Sequence, residues 1–257
     1  MTKANLTISI IQSEIKWHDV DANLAAIEQQ LATVRESDMI VLPEMFATGF
    51  IVDETPITAE TERILAWMRQ TAARFNAAVV GSVAVCEAGK WFNRMYFITP
   101  DGAQTYDKRH LFPKSPEPTH FERGTELPIF EFRGWRICPQ ICYNLRFPVW
   151  SRNAMSDGAY KYDILLYVAN WPAGRAESWN TLVKARAIEN QAFVVACNCV
   201  GDDPQGNHYQ GDSQLIGMTG REEARAAGET AQVVQSTISM QKLQTCRRNF
   251  PVAEDWD

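Results

Sequence analysis

The sequence predicts an α/β fold built on mixed sheets, on three observations. Short apolar runs alternate with amphipathic segments over most of the 257 residues, the pattern of a chain that alternates strand and helix. Two turn signals, Pro100-Asp101-Gly102 and Arg133-Gly134, each lie between strand-like runs and read as hairpins. Hairpins interrupt the strand–helix alternation of a purely parallel sheet, so parallel and antiparallel pairs must coexist. No linker, repeat or low-complexity tract divides the chain, and a single domain over residues 1–257 is expected.

The elements follow in order. Leu6 to Ile11 alternates like a strand. Asp19 or Asp21 can cap a helix whose apolar stripe is Leu24, Ile27, Leu31 and Val34. Met39 to Leu42 reads as a buried strand, and Ile64, Leu65, Met68, Ala72 and Phe75 mark a second helix. Ala78 to Val85 is β-branched and small. The runs Trp91–Thr99 and Ala103–Tyr106 form the first hairpin, and Ile129–Phe132 and Trp135–Ile141 the second. A helix is expected beyond Pro148. A strand at Ile164–Ala169, a helix at Ser178–Asn190, a strand at Phe193–Cys199, and late strands at Ser213–Gly217 and Gln232–Ser239 complete the reading. The segment from His110 to Leu127 holds Pro113, Pro116 and Pro118 and is long for a loop; ordered loops of that length are often functional.

Composition narrows the function. The chain is 46% hydrophobic and 22% charged, as soluble enzymes are, with a net charge of −6 that disfavours nucleic acid and anionic membranes. No apolar stretch is long enough to span a bilayer. Met1 to Asn5 leads into a strand and not into a signal-peptide core. The cysteines at 86, 138, 142, 197, 199 and 246 form no C-x-x-C pair, so reduced thiols and a cytoplasmic location are expected. The four histidines do not pair with Cys or Glu at metal spacing, and neither metal nor cofactor is expected.

Three segments carry chemistry. Cys142 closes the strand-like Trp135–Ile141 run and opens a turn toward Pro148. Such a thiol stands at the C-terminal edge of a sheet, where backbone N–H groups lower its pKa and stabilise an oxyanion; a buried structural cysteine is the competing reading. Glu44 directly follows the Ile40–Pro43 run, at another strand edge. Lys108 ends the run through Tyr106, next to Arg109 and His110. A Cys–His pair with His110 is conceivable, but no clear Asn or Asp stands ready to orient that ring. A redox pair of Cys138 with Cys142 is excluded: four residues apart on one strand, their Cα atoms would be about 13 Å apart.

Together these segments resemble the nitrilase superfamily of carbon–nitrogen hydrolases. The matching stretches are Leu42-Pro43-Glu44, Lys108-Arg109-His110-Leu111-Phe112 and Cys142-Tyr143-Asn144-Leu145-Arg146-Phe147-Pro148. Ala169-Asn170-Trp171-Pro172 and Ala185-Arg186-Ala187-Ile188-Glu189-Asn190-Gln191 also match. The resemblance spans roughly residues 5–240 and implies an α-β-β-α sandwich. It also implies a homodimer in which two sandwiches pack together. It assigns Glu44 as base, Lys108 as oxyanion-stabilising cation and Cys142 as nucleophile. A second acid follows the lysine in many members; Glu117, seven residues before Gly124, matches its spacing, with Glu122 as competitor. The pairing of Asn170-Trp171-Pro172 with the Cys142 segment resembles the omega-amidases, which hydrolyse the terminal amide of alpha-ketoglutaramate and alpha-ketosuccinamate. Asn144 stands where an Asp is usual.

On this reading the substrate is a small amide. Arg146 would grip its far carboxylate, Tyr143 would contribute a backbone N–H to the oxyanion hole, and Trp171 and Phe147 would line the pocket. Lys184, Arg186 and Glu189 do not share a helix face and read as structural. A nitrilase, an N-carbamoyl or aliphatic amidase of the same superfamily, and a non-catalytic binding homologue remain as alternatives.

Overall fold

The computed structural model describes residues 2–52 and 58–256. Strand β1 (Asn5–Gln12) leads into helix α1 (Val20–Leu31), and β2 (Met39–Val41) precedes helix α2 (Thr58–Phe75). β3 (Ala78–Glu87), β4 (Lys90–Thr99) and β5 (Gly102–Asp107) follow as two successive hairpins, and the one-turn helix α3 (Glu117–His120) interrupts the loop after them. The second half begins with the hairpin β6 (Phe130–Phe132) and β7 (Trp135–Ile141), then a 3-10 turn over Cys142–Arg146 and the one-turn helix α4 (Pro148–Ser151). A small hairpin, β8 (Met155–Ser156) and β9 (Ala159–Tyr160), precedes β10 (Ile164–Val168), helix α5 (Ala176–Glu189) and β11 (Phe193–Cys197). The hairpin β12 (Val200–Asp202) and β13 (His208–Gln210), then β14 (Gln214–Ile216), β15 (Glu222–Arg225), β16 (Gln232–Ser239) and helix α6 (Met240–Asn249) complete the chain.

The strands form two mixed six-stranded sheets, in the orders β16-β1-β2-β3-β4-β5 and β15-β14-β11-β10-β7-β6. β1, β2 and β3 run parallel, as do β7, β10 and β11, with antiparallel strands flanking each group. The sheets pack face to face: Leu6, Ile8, Ile10, Val41 and Phe97 of the first share one buried cluster with Trp135, Ile137, Ile164 and Phe193 of the second. The Cys197 sulfur crosses that interface, 3.4 Å from the Ile11 carbonyl oxygen and 3.5 Å from that of Val41. Period-2 alternation turns Ile11, Ile40 and Val79 to the opposite face, where Ile27 and Leu31 of α1 and Ile64, Leu65 and Met68 of α2 cover them. Trp179, Val183 and Ala187 of α5 and Leu243 of α6 cover the outer side of the second sheet. Helix, sheet, sheet and helix therefore stack within one chain.

The first helix is capped by Asp19, whose side chain accepts from the Ala22 N–H at 2.9 Å, and it ends at Leu31, so Val34 is buried beyond it. The helix expected after Pro148 is a single turn.

The parallel strands β2, β7, β10 and β11 all end at one edge. β5, related to β3 by two antiparallel steps, ends there as well. Ligand sites in open α/β sheets form at that edge.

Candidate active site

Each strand end delivers one side chain. Glu44 lies just past β2 and is fully buried. The next residue, Met45, takes a φ of 43°, and the Ser82 hydroxyl oxygen accepts from its N–H at 2.9 Å, so the chain turns sharply after the acid. Lys108 follows β5, its N–H donated to the Asn93 carbonyl and its carbonyl accepting from Gly124, both at 2.9 Å. Cys142 opens the 3-10 turn after β7 with a φ of 44°. A non-glycine residue in that region costs about 1–3 kcal/mol and survives only where its surroundings impose it. Here Arg186 of α5 braces the turn, donating to the Leu145 carbonyl at 2.7 Å and to Glu189 at 2.9 Å.

These residues make one buried network. Lys108 Nζ lies 2.8 Å from Glu44 Oε1 and 3.0 Å from both oxygens of Glu117. Glu117 also accepts from the Phe112 N–H at 2.6 Å. Asn93 Nδ2 donates to Glu44 at 2.8 Å and to Glu117 at 3.1 Å, joining the two carboxylates. The second oxygen of Glu44 accepts from the Asn170 N–H at 3.0 Å, and the Asn170 carbonyl lies 3.9 Å from the Cys142 sulfur. The first sheet thus supplies Glu44, Asn93 and Lys108, and the second Cys142 and Asn170. Glu122 stands apart, paired with Lys90 at 3.6 Å near the surface.

Burial opposes charge on Lys108, but Glu117 and then Glu44 more than offset it and hold the ammonium above its ordinary pKa. Burial raises the Glu117 carboxyl; Lys108 pulls it down and Glu44 pushes it up again, for a net rise. Burial also lifts the Cys142 thiol well above its ordinary pKa; the Glu44 charge adds to this, and Lys108 opposes with smaller effect. The sequence expectation of a thiol lowered by nearby N–H groups is therefore corrected: burial and the neighbouring Glu44 raise it.

The network forms the floor of a cavity of about 710 Å³ lined by Glu44, Lys108, Cys142, Tyr143, Arg146 and Trp171, among others. Arg146 is exposed, donates to the Ser178 hydroxyl at 3.2 Å and lies over the Trp171 ring at 5.1 Å. Phe147 is not among the lining residues. Its ring is stacked on His110 at 3.7 Å, which also explains why His110 does not join Cys142. Asn144 is buried against Tyr106 OH and accepts from the His110 N–H at 3.0 Å, so it ties the Lys108 loop to the Cys142 turn and does not serve Arg146.

Sequence reasoning missed several participants. Asn93 lies mid-strand in β4, where no local signal marks it. Both side-chain polar atoms of Asn170 are buried without a partner at the cavity wall. Asn198, just past β11, holds the Asn170–Trp171 segment by accepting from the Trp171 N–H at 2.7 Å and donating to its carbonyl at 3.1 Å. Arg175, and Asp203, Asn207 and Tyr209 from the β12–β13 hairpin, line the cavity as well. Among the described residues, no cluster of His, Cys, Asp and Glu could hold a metal ion.

The profile of the carbon-nitrogen hydrolase family matches residues 7–248. The chain is 43% identical over 255 residues to the omega-amidase YafV of Yersinia enterocolitica, covering 99% of this chain and 98% of that one. It is 34% identical to a 2-oxoglutaramate amidase of Bacillus subtilis, covering 97% and 96%. Among solved structures, a CN-hydrolase superfamily protein of Xanthomonas campestris with an arsenic adduct in its active site superposes with a TM-score of 0.92 at 41% identity, covering 99% of this chain and 98% of that one. A matching profile over nearly its whole length, relatives aligned end to end and the same layered fold together place the chain in the carbon-nitrogen hydrolase family, within the nitrilase superfamily.

Proposed function

We propose that the protein hydrolyses the terminal amide of a small 2-oxo acid, 2-oxoglutaramate first among them, through a thioester on Cys142. The observation that supports this most strongly is the buried chain Glu117–Lys108–Glu44, closed against Cys142 at the floor of a cavity with guanidinium groups along its wall. The names of the omega-amidase and 2-oxoglutaramate amidase relatives supply the substrate class.

An amide is a weak electrophile with a poor leaving group, so the site must activate both partners. Glu44 takes the Cys142 proton as sulfur attacks the carbonyl carbon. Lys108 and the Tyr143 N–H stabilise the oxyanion, and Glu44 returns the proton to departing ammonia. Water then adds to the thioester, losing a proton to Glu44; the carboxylic acid leaves and the thiol is restored. In the resting site all three Lys108 hydrogen bonds go to carboxylate oxygens. One of the two to Glu117 is given up when the oxyanion forms, which makes Glu117 the residue that aims the ammonium. Asn170 offers its unpaired amide to the substrate. The same reading takes the chain as one domain working in the cytoplasm as a homodimer, a state that analytical ultracentrifugation tests.

A panel of 2-oxoglutaramate, 2-oxosuccinamate, glutamine, asparagine, an N-carbamoyl amino acid and a simple nitrile tests the substrate class. The 2-oxo amides should be turned over fastest, and preferred cleavage of the nitrile or carbamoyl compound would reassign the enzyme within its superfamily. Cys142→Ala should abolish turnover while leaving the circular dichroism spectrum unchanged, since the nucleophile and its base act as a unit. Residual activity above a few per cent would remove Cys142 from the mechanism.

A further inference from the structure

We propose that Arg175 is the second arm of a carboxylate clamp shared with Arg146, and that it selects a 2-oxo group over a 2-ammonium group beside that carboxylate. This deepens the omega-amidase reading and rests on it.

The first ground is an unpaired charge. Arg175 is half-buried and lines the same cavity as Cys142. Several other partly or fully buried arginines of this chain have acids: Arg94 has Asp107 at 2.6 Å, Arg136 has Asp163 at 3.2 Å and Arg247 has Asp163 at 2.9 Å, whereas half-buried Arg109 donates to the Gly124 carbonyl at 3.1 Å. Among the described residues no carboxylate pairs with Arg175. Its guanidinium lies over the Phe112 ring at 5.1 Å, and its carbonyl accepts from the Trp171 indole at 2.8 Å, which fixes its backbone. A partly desolvated cation held in place without a counter-charge is suited to an anion from outside.

Its position is the second ground. Arg175 occupies the N-cap of α5, and no side chain caps that helix. The site prefers Ser, Thr, Asp or Asn, and a cation there faces the positive end of the helix dipole. Arg146 reaches the first turn of the same helix through Ser178. Both guanidinium groups therefore line the one cavity, Arg175 at the N-terminus of α5 and Arg146 bonded to its first turn. Among the described residues, the acids nearby are already engaged. Glu44 is bonded to Lys108, and Glu177 accepts from Thr181 at 3.2 Å. Asp203 accepts from the Asn207 backbone at 2.8 Å, the Asn207 amide at 2.7 Å and Tyr209 OH at 2.9 Å.

The chemistry then discriminates. A 2-oxo acid presents its carboxylate and keto oxygens as adjacent acceptors in one plane, which suits planar donor forks. A 2-amino acid replaces the keto oxygen with an ammonium, which offers no acceptor and repels the guanidinium.

The test compares kcat and KM of the wild type, Arg175→Ala and Arg175→Lys on 2-oxoglutaramate, glutamine and butanamide. In Arg175→Ala, kcat/KM for 2-oxoglutaramate should fall by about 30-fold or more, mostly through KM, the scale for losing one partner of a desolvated charged contact. Glutamine and butanamide should lose far less, so the preference for the 2-oxo amide collapses. Arg175→Lys keeps the charge without the fork and should recover part of that preference. An equal loss on all three amides, or an unchanged 2-oxo preference in Arg175→Ala, overturns the inference and leaves the omega-amidase reading intact. A wild type without preference for 2-oxoglutaramate overturns that reading and the inference with it.

Discussion

Lys108 is buried between two acids, and this sets how the site responds to substitution. Its ammonium is the one cation bonded to Glu44 and Glu117 in this network. Lys108→Met leaves both carboxylates without it and, in the proposed mechanism, the oxyanion without a charged donor. Loss of one such donor lowers kcat by roughly 10²–10³, so a fall of that size is expected in steady-state assays; a few-fold change would assign the oxyanion to backbone groups. Glu117→Gln should lower kcat by less, because in the proposed mechanism Glu117 only aims the ammonium. Its pH signature is distinct. The folded-state pKa of Glu117 is raised by burial against the pull of Lys108, so a proton binds this carboxyl more readily in the native chain than in the unfolded one. The stability this contributes is full below the ordinary carboxylate range and is lost as pH rises through the raised value. Melting curves across pH should therefore show the wild type losing ground to Glu117→Gln as pH increases. Parallel curves would mean that Glu117 keeps an ordinary pKa.

Strand ends and loop anchors set the positions of these groups. Gly124 shows how tightly: its N–H bonds the Lys108 carbonyl at 2.9 Å, and a Cβ there would come 2.1 Å from the Asp107 carbonyl oxygen. Gly124→Ala must push the loop off the end of β5 and move Lys108 with it. A cost of about 1–3 kcal/mol is expected for such overpacking, together with a drop in kcat that exceeds any change in KM. Unaltered kcat with a lowered melting temperature would show that the lysine is held by its carboxylates alone. This is also the scale at which the sequence is most legible. Glu44 and Cys142 each follow an apolar run and Lys108 follows a strand-like run marked by the preceding turn, so a strand end and a polar group could be read together, and the turn residues at 100–102 and 133–134 marked both hairpins. Glu117 was accessible only through its spacing to Gly124. Asn93 was not accessible, because its role depends on the register of β4 against β5 and not on its neighbours in sequence. The β12–β13 hairpin and α6 escaped for a related reason. Gly201-Asp202-Asp203-Pro204 reads as loop, and α6 is mostly polar, held by one buried Leu243 and by Arg247 bonded to Asp163.

At the scale of the molecule, the candidate active site joins the two sheets. Glu44 belongs to the first sheet, yet its Oε2 accepts from the Asn170 N–H at the end of a strand of the second, while its Oε1 accepts from Lys108 and Asn93. Removing that carboxylate leaves a buried ammonium, an amide and a backbone N–H short of a partner at the place where the layers meet. Breaking a buried pair from one side costs about 3–5 kcal/mol, and in a chain of this size 1 kcal/mol moves the melting temperature by about 2–4 °C. Glu44→Ala should therefore melt roughly 6–20 °C lower than the wild type, besides losing turnover. Glu44→Gln keeps an acceptor and fills the space, so it should lose turnover with a smaller shift. Cys142→Ala removes a sulfur that lies 3.9 Å from the Asn170 carbonyl oxygen, and it should melt close to the wild type. Differential scanning calorimetry on the three variants separates the roles: the order Glu44→Ala, Glu44→Gln, Cys142→Ala from least to most stable is expected. If all three melted alike, Glu44 would be a catalytic group with no part in holding the sheets together, and the cross-sheet bond to Asn170 would be a consequence of the packing and not one of its causes.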